Sequence, residues 1–373
     1  MTILIRILIA IFYLRRVKVT GLIYFFGLLD MRMKRFLIFF ALICLWFYAV
    51  FAQTNLTVTS GDERSDPGGR KVEVVEGEWK DSARASRSVL WKCYLPVETK
   101  SPVPVVIYSH GGGGTRDTNA MLGRHLASHG FASLHIQHVG SDVRALRANP
   151  RSLSAVNDPK ASEPRFLDVA FVVKQLRSGE QLGELKCRLD GKRIGIAGHS
   201  YGGLTSQVVA GQHVKGYDQK LSIPELKGAF ILSPSPPRED YGNAEKSFQK
   251  MLMPMFSLTG TADTAPDKSF TAKDRRVPFD RTSNVDQWLL VLNGASHFTL
   301  SGQEKLPAVA RLLPGMEADP NLAANHACIR AAAVSFWQTV FFNDETARKY
   351  LNDGEFAKFV GKSGSLEFKS ARR

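Results

Sequence analysis

Apolar residues in this chain gather in short branched runs separated by stretches of helical spacing, and the alternation is regular from residue 71 onward. VEVVEGEW and SVLWKCYL predict an initial antiparallel pair of strands. PVVIYSH, FASLHIQHV, RIGIAGHS, AFILSPS, MPMFSLTG and QWLLVLNG are close to continuous apolar runs, as expected of parallel strands covered on both faces. Between them, Leu122 and Leu126 mark one helix, and Phe166, Val169, Ala170, Val173 and Leu176 mark another, with Ser162 and Pro164 at its start. Ile329, Ala332, Ala333, Phe336, Trp337 and Val340 form an apolar stripe, read as the final helix covering the sheet. The alternation argues for an α/β chain: a mostly parallel, doubly wound sheet flanked by helices in a single domain. Reactive groups in such a sheet collect at the carboxyl ends of the strands.

One strand end carries chemistry. In GIAGHSYGG, at 195–203, an apolar strand turns at once into the helix-forming segment LTSQVVAG. Gly198 and Gly202 flank Ser200 as GxSxG, where any larger side chain would obstruct the backbone reversal, so the pattern predicts a nucleophile elbow that lifts the Ser200 hydroxyl clear of the surface. Its rival is a glycine-rich turn with a capping serine. Asp263, in GTADTAP, and His297, in GASHF, each follow a predicted strand, and the chain order is Ser, Asp, His. That order and placement suit acyl transfer in which His297 takes the serine proton and Asp263 fixes the imidazole tautomer. Asp267 and Asp286 are alternative acids. His110, His135, His138 and His199 read as satisfied polar residues.

HGGGG, at 110–114, follows the run PVVIYS directly. Backbone N–H groups of such a loop suit the negative oxygen of a tetrahedral intermediate, with Gly112, or else Gly111 or Gly113, pairing with the Tyr201 N–H. The lysine and hydroxyl of a phosphate-cradling loop are missing from this segment.

VVIYSHGGGGTRDT, HVGSD, RFLDVAFVVKQL and GHSYGG together resemble the α/β-hydrolases, specifically a secreted serine esterase branch that includes platelet-activating-factor acetylhydrolases, dienelactone-hydrolase-like esterases and cutinase-like polyester hydrolases. The resemblance covers residues 71–351. It implies the α/β-hydrolase fold, a triad of Ser200, Asp263 and His297, a small-molecule or polymeric ester substrate, and no cofactor or metal. Dienelactone hydrolases carry cysteine where this chain has Ser200, so a diene lactone is not the implied substrate. The charged segment SPPREDYGNAEKSFQK is unlike an apolar lipase lid and suggests an open site favouring short-chain or soluble esters. A serine peptidase or acyltransferase would use the same triad, and a binding module on a hydrolase scaffold is the non-catalytic rival. The arginines of VRALRANPR and SEPRF, between 140 and 164 and just beyond, read as solvated loop charges.

Charge and termini refine this picture. The net charge is +14, but seven of the 49 Lys and Arg and one of the 35 acidic residues fall in the first 52 positions, leaving +8 for the rest. That remainder shows no basic stripe with interleaved aromatics, so no nucleic-acid partner is expected. Residues 1–52 read as a targeting segment. Beyond Met31 a basic cluster precedes an apolar run that ends at Ala52, the pattern of a signal peptide, and translation starting at Met31 or Met33 fits it. The expected location is secreted or periplasmic, with an uncleaved membrane anchor as the alternative. Residues 53–70 read as a flexible linker, 71–352 as the catalytic domain and 353–373 as a polar basic tail. Asn55-Leu56-Thr57 is a glycosylation acceptor in a glycosylating host. With Cys44 in the targeting segment, Cys93, Cys187 and Cys328 remain, an odd number without zinc-ligand spacing.

Overall fold

Strand β3 (Val103–Ser109) is buried at every position, which is what its unbroken apolar sequence requires of a strand covered on both faces. The computed structural model describes residues 62–217, 219–303 and 318–372. The targeting segment, Met31, Met33, Cys44 and Asn55-Leu56-Thr57 lie outside them. Among the described residues one sheet of nine strands runs in the order β1-β2-β4-β3-β5-β6-β7-β8-β9. The remaining strands are β1 (Val72–Asp81), β2 (Arg87–Pro96), β4 (Ala132–Gln137), β5 (Leu189–His199), β6 (Ala229–Leu232), β7 (Met255–Ala262), β8 (Gln287–Ser296) and β9 (Gly364–Lys369). β1 and β2 are antiparallel, β4 through β8 form the parallel body around β3, and β9 closes the far edge antiparallel to β8. This is the α/β-hydrolase fold.

Helices α1 (Ala120–Ser128), α2 (Val143–Ala148), α3 (Pro159–Ser178), α4 (Tyr201–Val209), α5 (Ala244–Ser247), α6 (Val277–Arg281), α7 (His297–Leu300), α8 (Leu322–Phe342), α9 (Glu345–Asn352) and α10 (Glu355–Val360) cover the sheet. Alternate residues of β3 point into different cores. Val105 and Ile107 join the α3 and α4 side, whereas Val106 and Tyr108 join the α1 and α8 side. Topology matters more than layering here. β4 lies on one side of β3 and β5 on the other, so the loops after β3 and β5 meet where the winding reverses, at the carboxyl ends of the strands.

Some expectations need revision. The helix expected from Ser162 begins earlier, at Pro159, capped by Asp158, whose carboxylate accepts from the Lys160 N–H at 2.8 Å. α8 is not the last helix, and 353–373 is not a free tail: Trp288 packs on Phe368, and β9 pairs with β8 along its length. The linker reading of 53–70 fails for its described end. His125 donates to the Arg64 carbonyl at 2.8 Å, Arg330 donates to that of Ser65 at 2.7 Å, and Tyr350 bonds Asp62. Cys93 and Cys328 are buried, Cys187 is exposed, and none of the three is in a disulfide.

Buried histidines make the fold sensitive to acid, His125, His135 and His138 among them. His135 donates through Nδ1 to the Thr118 carbonyl at 3.0 Å and accepts at Nε2 from Ser133 at 3.0 Å, an arrangement complete only for the neutral ring. Burial pushes His125 and His135 down to about 3 and His138 to about 4. Unfolded rings take up protons below their ordinary 6.5. The stabilisation is therefore complete above that value and lost as pH falls towards the folded values, by about 1.4 kcal/mol per pH unit for each ring. Urea midpoints are expected to drop between about pH 6.5 and about pH 4.5, and His135→Gln to reduce that slope. An unchanged slope in the variant would contradict this assignment.

Candidate active site

At the end of β5 the chain enters α4 without a linker, and Ser200 takes φ 57° and ψ −116°, a conformation that strains any residue with a Cβ. Two backbone bonds hold it there. The Ser200 N–H donates to Leu232 at 3.0 Å, and its carbonyl accepts from Leu204 at 2.9 Å. The flanking glycines are required by close approach. A Cβ on Gly202 would lie 1.9 Å from the Ser109 carbonyl oxygen, and one on Gly198 would lie 2.2 Å from that of Gly202. Both obstacles are backbone, so neither can move aside cheaply.

Asp263 and His297 also stand at strand ends. Asp263 immediately follows β7, and His297 opens α7, whose capping box links Ser296 and Thr299. The imidazole Nδ1 donates to Asp263 Oδ1 at 2.7 Å, while Oδ2 accepts from the Thr259 hydroxyl at 2.9 Å. His199, adjacent to Ser200, brings its ring centroid within 4.6 Å of that of His297. Ser200, His199 and His297 line one cleft of about 390 Å³. Asp267 is exposed and bonds its own loop at Ser269, and Asp286 pairs with Arg348 at 3.0 Å, so neither alternative acid contacts the ring.

Asp263 is fully buried. Burial alone would raise its pKa, but the neighbouring Arg275 charge, followed by the His297 hydrogen bond and charge, outweighs it and holds the carboxyl well below the usual range. Arg275 lies 3.6 Å from Asp263 Oδ2 and 3.5 Å from His297 Nδ1. It also donates to the carbonyls of Asp263 and Ser233, both at 3.4 Å, and of Pro234 at 3.2 Å. Sequence reasoning did not single out Arg275, because a basic pair after a strand looks like surface. Its neighbour Arg276 is indeed paired on the surface with Asp280 and Glu367.

The loop after β3 faces the start of α4. His110 donates from Nδ1 to the Gly111 carbonyl at 2.6 Å and accepts at Nε2 from the His138 N–H at 3.0 Å, so it must be neutral, and burial pushes its pKa well down. The Gly113 N–H is committed to the Ser141 carbonyl at 2.9 Å, and that of Gly114 to Gly111 at 3.1 Å. Gly113 is therefore removed as a donor. The N–H groups of Gly111, Gly112 and Tyr201 have no acceptor among the described residues, so Gly111 stands beside Gly112 as a candidate donor.

The 140–164 loop does more than carry charge. Asp142 caps α2, accepting from the Ala145 N–H at 3.0 Å, and the 3-10 turn Pro150–Asn157 follows. Together they place Leu146, Leu153 and Val156 along the cleft. Arg144, Arg147 and Arg151 are exposed, as expected, but Arg165 is 2% exposed. A signal for Arg165 existed: it lies on the apolar face of α3, in register with Val169, Val172 and Leu176. The segment SPPREDYGNAEKSFQK keeps Glu239, Asp240, Glu245 and Lys246 exposed but is anchored by Tyr241 and Phe248, which are fully buried. Among the described residues no group of three His, Cys, Asp or Glu side chains is arranged to hold a metal, and no helix is long and apolar enough to cross a membrane.

Comparison with known proteins agrees with this architecture. The sequence model of the family described as platelet-activating factor acetylhydrolase, isoform II, matches residues 83–148, the stretch that contains the glycine loop. Cutinase est2 of Thermobifida alba is 27% identical over 207 residues, covering 55% of this chain and 56% of that protein. Cutinase 1 of Thermobifida cellulosilytica is 26% identical over 211 residues, covering 55% of this chain and 64% of that protein. Cutinase of Thermobifida fusca (strain YX) is 26% identical over 211 residues, covering 55% and 56%. The chain spans little more than half the length of these curated relatives. It resembles serine esterases of the α/β-hydrolase fold, of the acetylhydrolase and cutinase kinds.

Gly202→Ala would drive a methyl group into the Ser109 carbonyl and separate α4 from β3. A loss of at least ~2 kcal/mol in folding stability is expected by chemical denaturation. An unchanged midpoint would contradict the close approach.

Proposed function

We propose that this chain is a secreted serine hydrolase that cleaves carboxylic esters through an acyl-enzyme. Ser200 Oγ attacks the ester carbonyl carbon and passes its proton to His297 Nε2, while Nδ1–H stays bonded to Asp263. The carbonyl oxygen becomes negative and is received by the N–H groups of Gly112 and Tyr201, helped by the N-terminal dipole of α4. Collapse of the intermediate breaks the bond to the alcohol oxygen, which leaves with the proton from His297. Water then repeats the attack on the acyl-serine, and the carboxylic acid departs. The observation that carries this reading is the 2.7 Å contact between His297 and Asp263 in a cleft shared with a serine held at positive φ. Secretion rests on the basic and apolar order of residues 1–52.

The proposed substrates are short-chain or soluble esters. A cleft of about 390 Å³, walled by Leu146, Leu153 and Val156, suits a small acyl group. The match to an acetylhydrolase family favours the same size.

A p-nitrophenyl ester series tests both parts of the reading. Wild type is expected to turn over acetate and butyrate fastest, and Ser200→Ala to fold normally while losing at least ~10³ in turnover and all fluorophosphonate labelling. Near-wild-type turnover in the variant would overturn the mechanism. Fastest turnover of the longest chain would overturn the substrate class.

A further inference from the structure

Arg165 is a buried cation whose hydrogen bonds all go to neutral oxygens. Nη1 donates to Ser141 Oγ at 2.7 Å, Nη2 to the His110 carbonyl at 2.5 Å and to Ser109 Oγ at 3.1 Å, and Nε to Thr205 Oγ1 at 3.1 Å. The guanidinium also lies 4.2 Å over the Tyr201 ring. Burying a charge among uncharged acceptors is costly, and burial pulls the pKa of Arg165 down to about 10. Four directed bonds from one rigid fork must define something in return.

What they define is the spacing of two backbone segments. His110 directly precedes Gly111. Ser141 accepts the Gly113 N–H, so the Gly111–Gly112 stretch is strung between two points tied to the same guanidinium. On the opposite side, Thr205 donates to the Tyr201 carbonyl at 2.8 Å, and the Tyr201 ring is covered by the cation. We infer that Arg165 is the positioning residue of the oxyanion hole, clamping the loop that carries the Gly112 N–H to the helix start that carries the Tyr201 N–H. The inference rests on the ester-hydrolase reading given above.

The proton inventory supports the clamp. Ser141 donates its own hydrogen to the His138 carbonyl at 3.3 Å and Thr205 donates to Tyr201, so each presents a lone pair to Arg165. Ser109 donates to His138 Nε2 at 2.9 Å, and His138 Nδ1 donates to Asp168 Oδ2 at 3.1 Å. That Ser-His-Asp line is fully buried and is closed off from any substrate. Its effect is to pass the Asp168 charge back to the guanidinium as an oriented chain of dipoles.

The test compares wild type, Ser200→Ala, Arg165→Met and Ser141→Ala with p-nitrophenyl butyrate and with a trifluoromethyl ketone, which adds Ser200 Oγ to its carbonyl to form a tetrahedral oxyanion. Arg165→Met is expected to lose on the order of 10² in kcat and Ser141→Ala about tenfold, with KM within about threefold of wild type. Ketone affinity should fall by the same factor as kcat/KM, and the acidic limb of the pH profile should stay in place because Arg165 touches neither His297 nor Asp263. If Arg165→Met does not fold, Ser141→Ala carries the test. Folded variants with unchanged kcat, a loss confined to KM, or a displaced acidic limb would each overturn the clamp. A wild-type protein that is inert towards esters and unlabelled at Ser200 would instead overturn the hydrolase reading, and the clamp with it.

Discussion

The contact between the Cα of Gly202 and the carbonyl end of β3 sets the geometry of everything around Ser200. No side chain fits there, so α4 begins hard against the last peptide of β3. The N–H of Tyr201 and the glycine loop after Ser109 consequently belong to one small region, and Ser200 is held at positive φ between them. The strain at that residue, on the order of 1–3 kcal/mol, is supported by a sheet in which β3, β4 and β6 are buried at every position and β5 is buried over the residues leading to the turn. A looser junction would leave the serine in place but move the Tyr201 N–H away from the glycine loop.

Charge is arranged around this junction in two buried clusters of opposite design. Behind His297, the Asp263 carboxylate is ionised because Arg275 and the imidazole offset its desolvation. Behind the glycine loop, Arg165 is hydrogen-bonded to neutral oxygens alone and is linked to the Asp168 carboxylate through Ser109 and His138. Asp168 is meanwhile ion-paired with Arg84 at 2.8 Å and Arg87 at 2.7 Å; burial alone would raise its pKa, but the bonds and charges of Arg87 and His138 outweigh it and bring it down to about 2. Buried ions contribute little net stability, so their value here is directional: each fixes an orientation that water would otherwise randomise.

Much of the fold was legible because it is written in periodicity. The eight runs read as strands correspond to β1 through β8, and the turn at GHSYGG falls between β5 and α4. β9 escaped because GSLEFK is short, half exposed and embedded in a basic segment, so its pairing with β8 has no local apolar signature. The docking of residues 62–70 escaped for a related reason, since it is made largely by backbone carbonyls that accept from His125 and Arg330. At the candidate site, Ser200, Asp263 and His297 were readable as strand-end residues in chain order. Arg275 and Arg165 were not, because composition treats arginine as surface, and only the helical register of Arg165 with Val169 and Val172 hinted otherwise. The loop carrying Leu146 and Leu153 looked polar, and its apolar face formed only once α2 and the following turn had folded.

The most direct measurement is a crystal structure of the protein after reaction with a small alkyl fluorophosphonate. The account requires phosphorus bonded to Ser200 Oγ and one phosphonyl oxygen within about 3.1 Å of the amide nitrogens of both Gly112 and Tyr201. An adduct on another residue, or a phosphonyl oxygen turned away from that pair of amides, would contradict it.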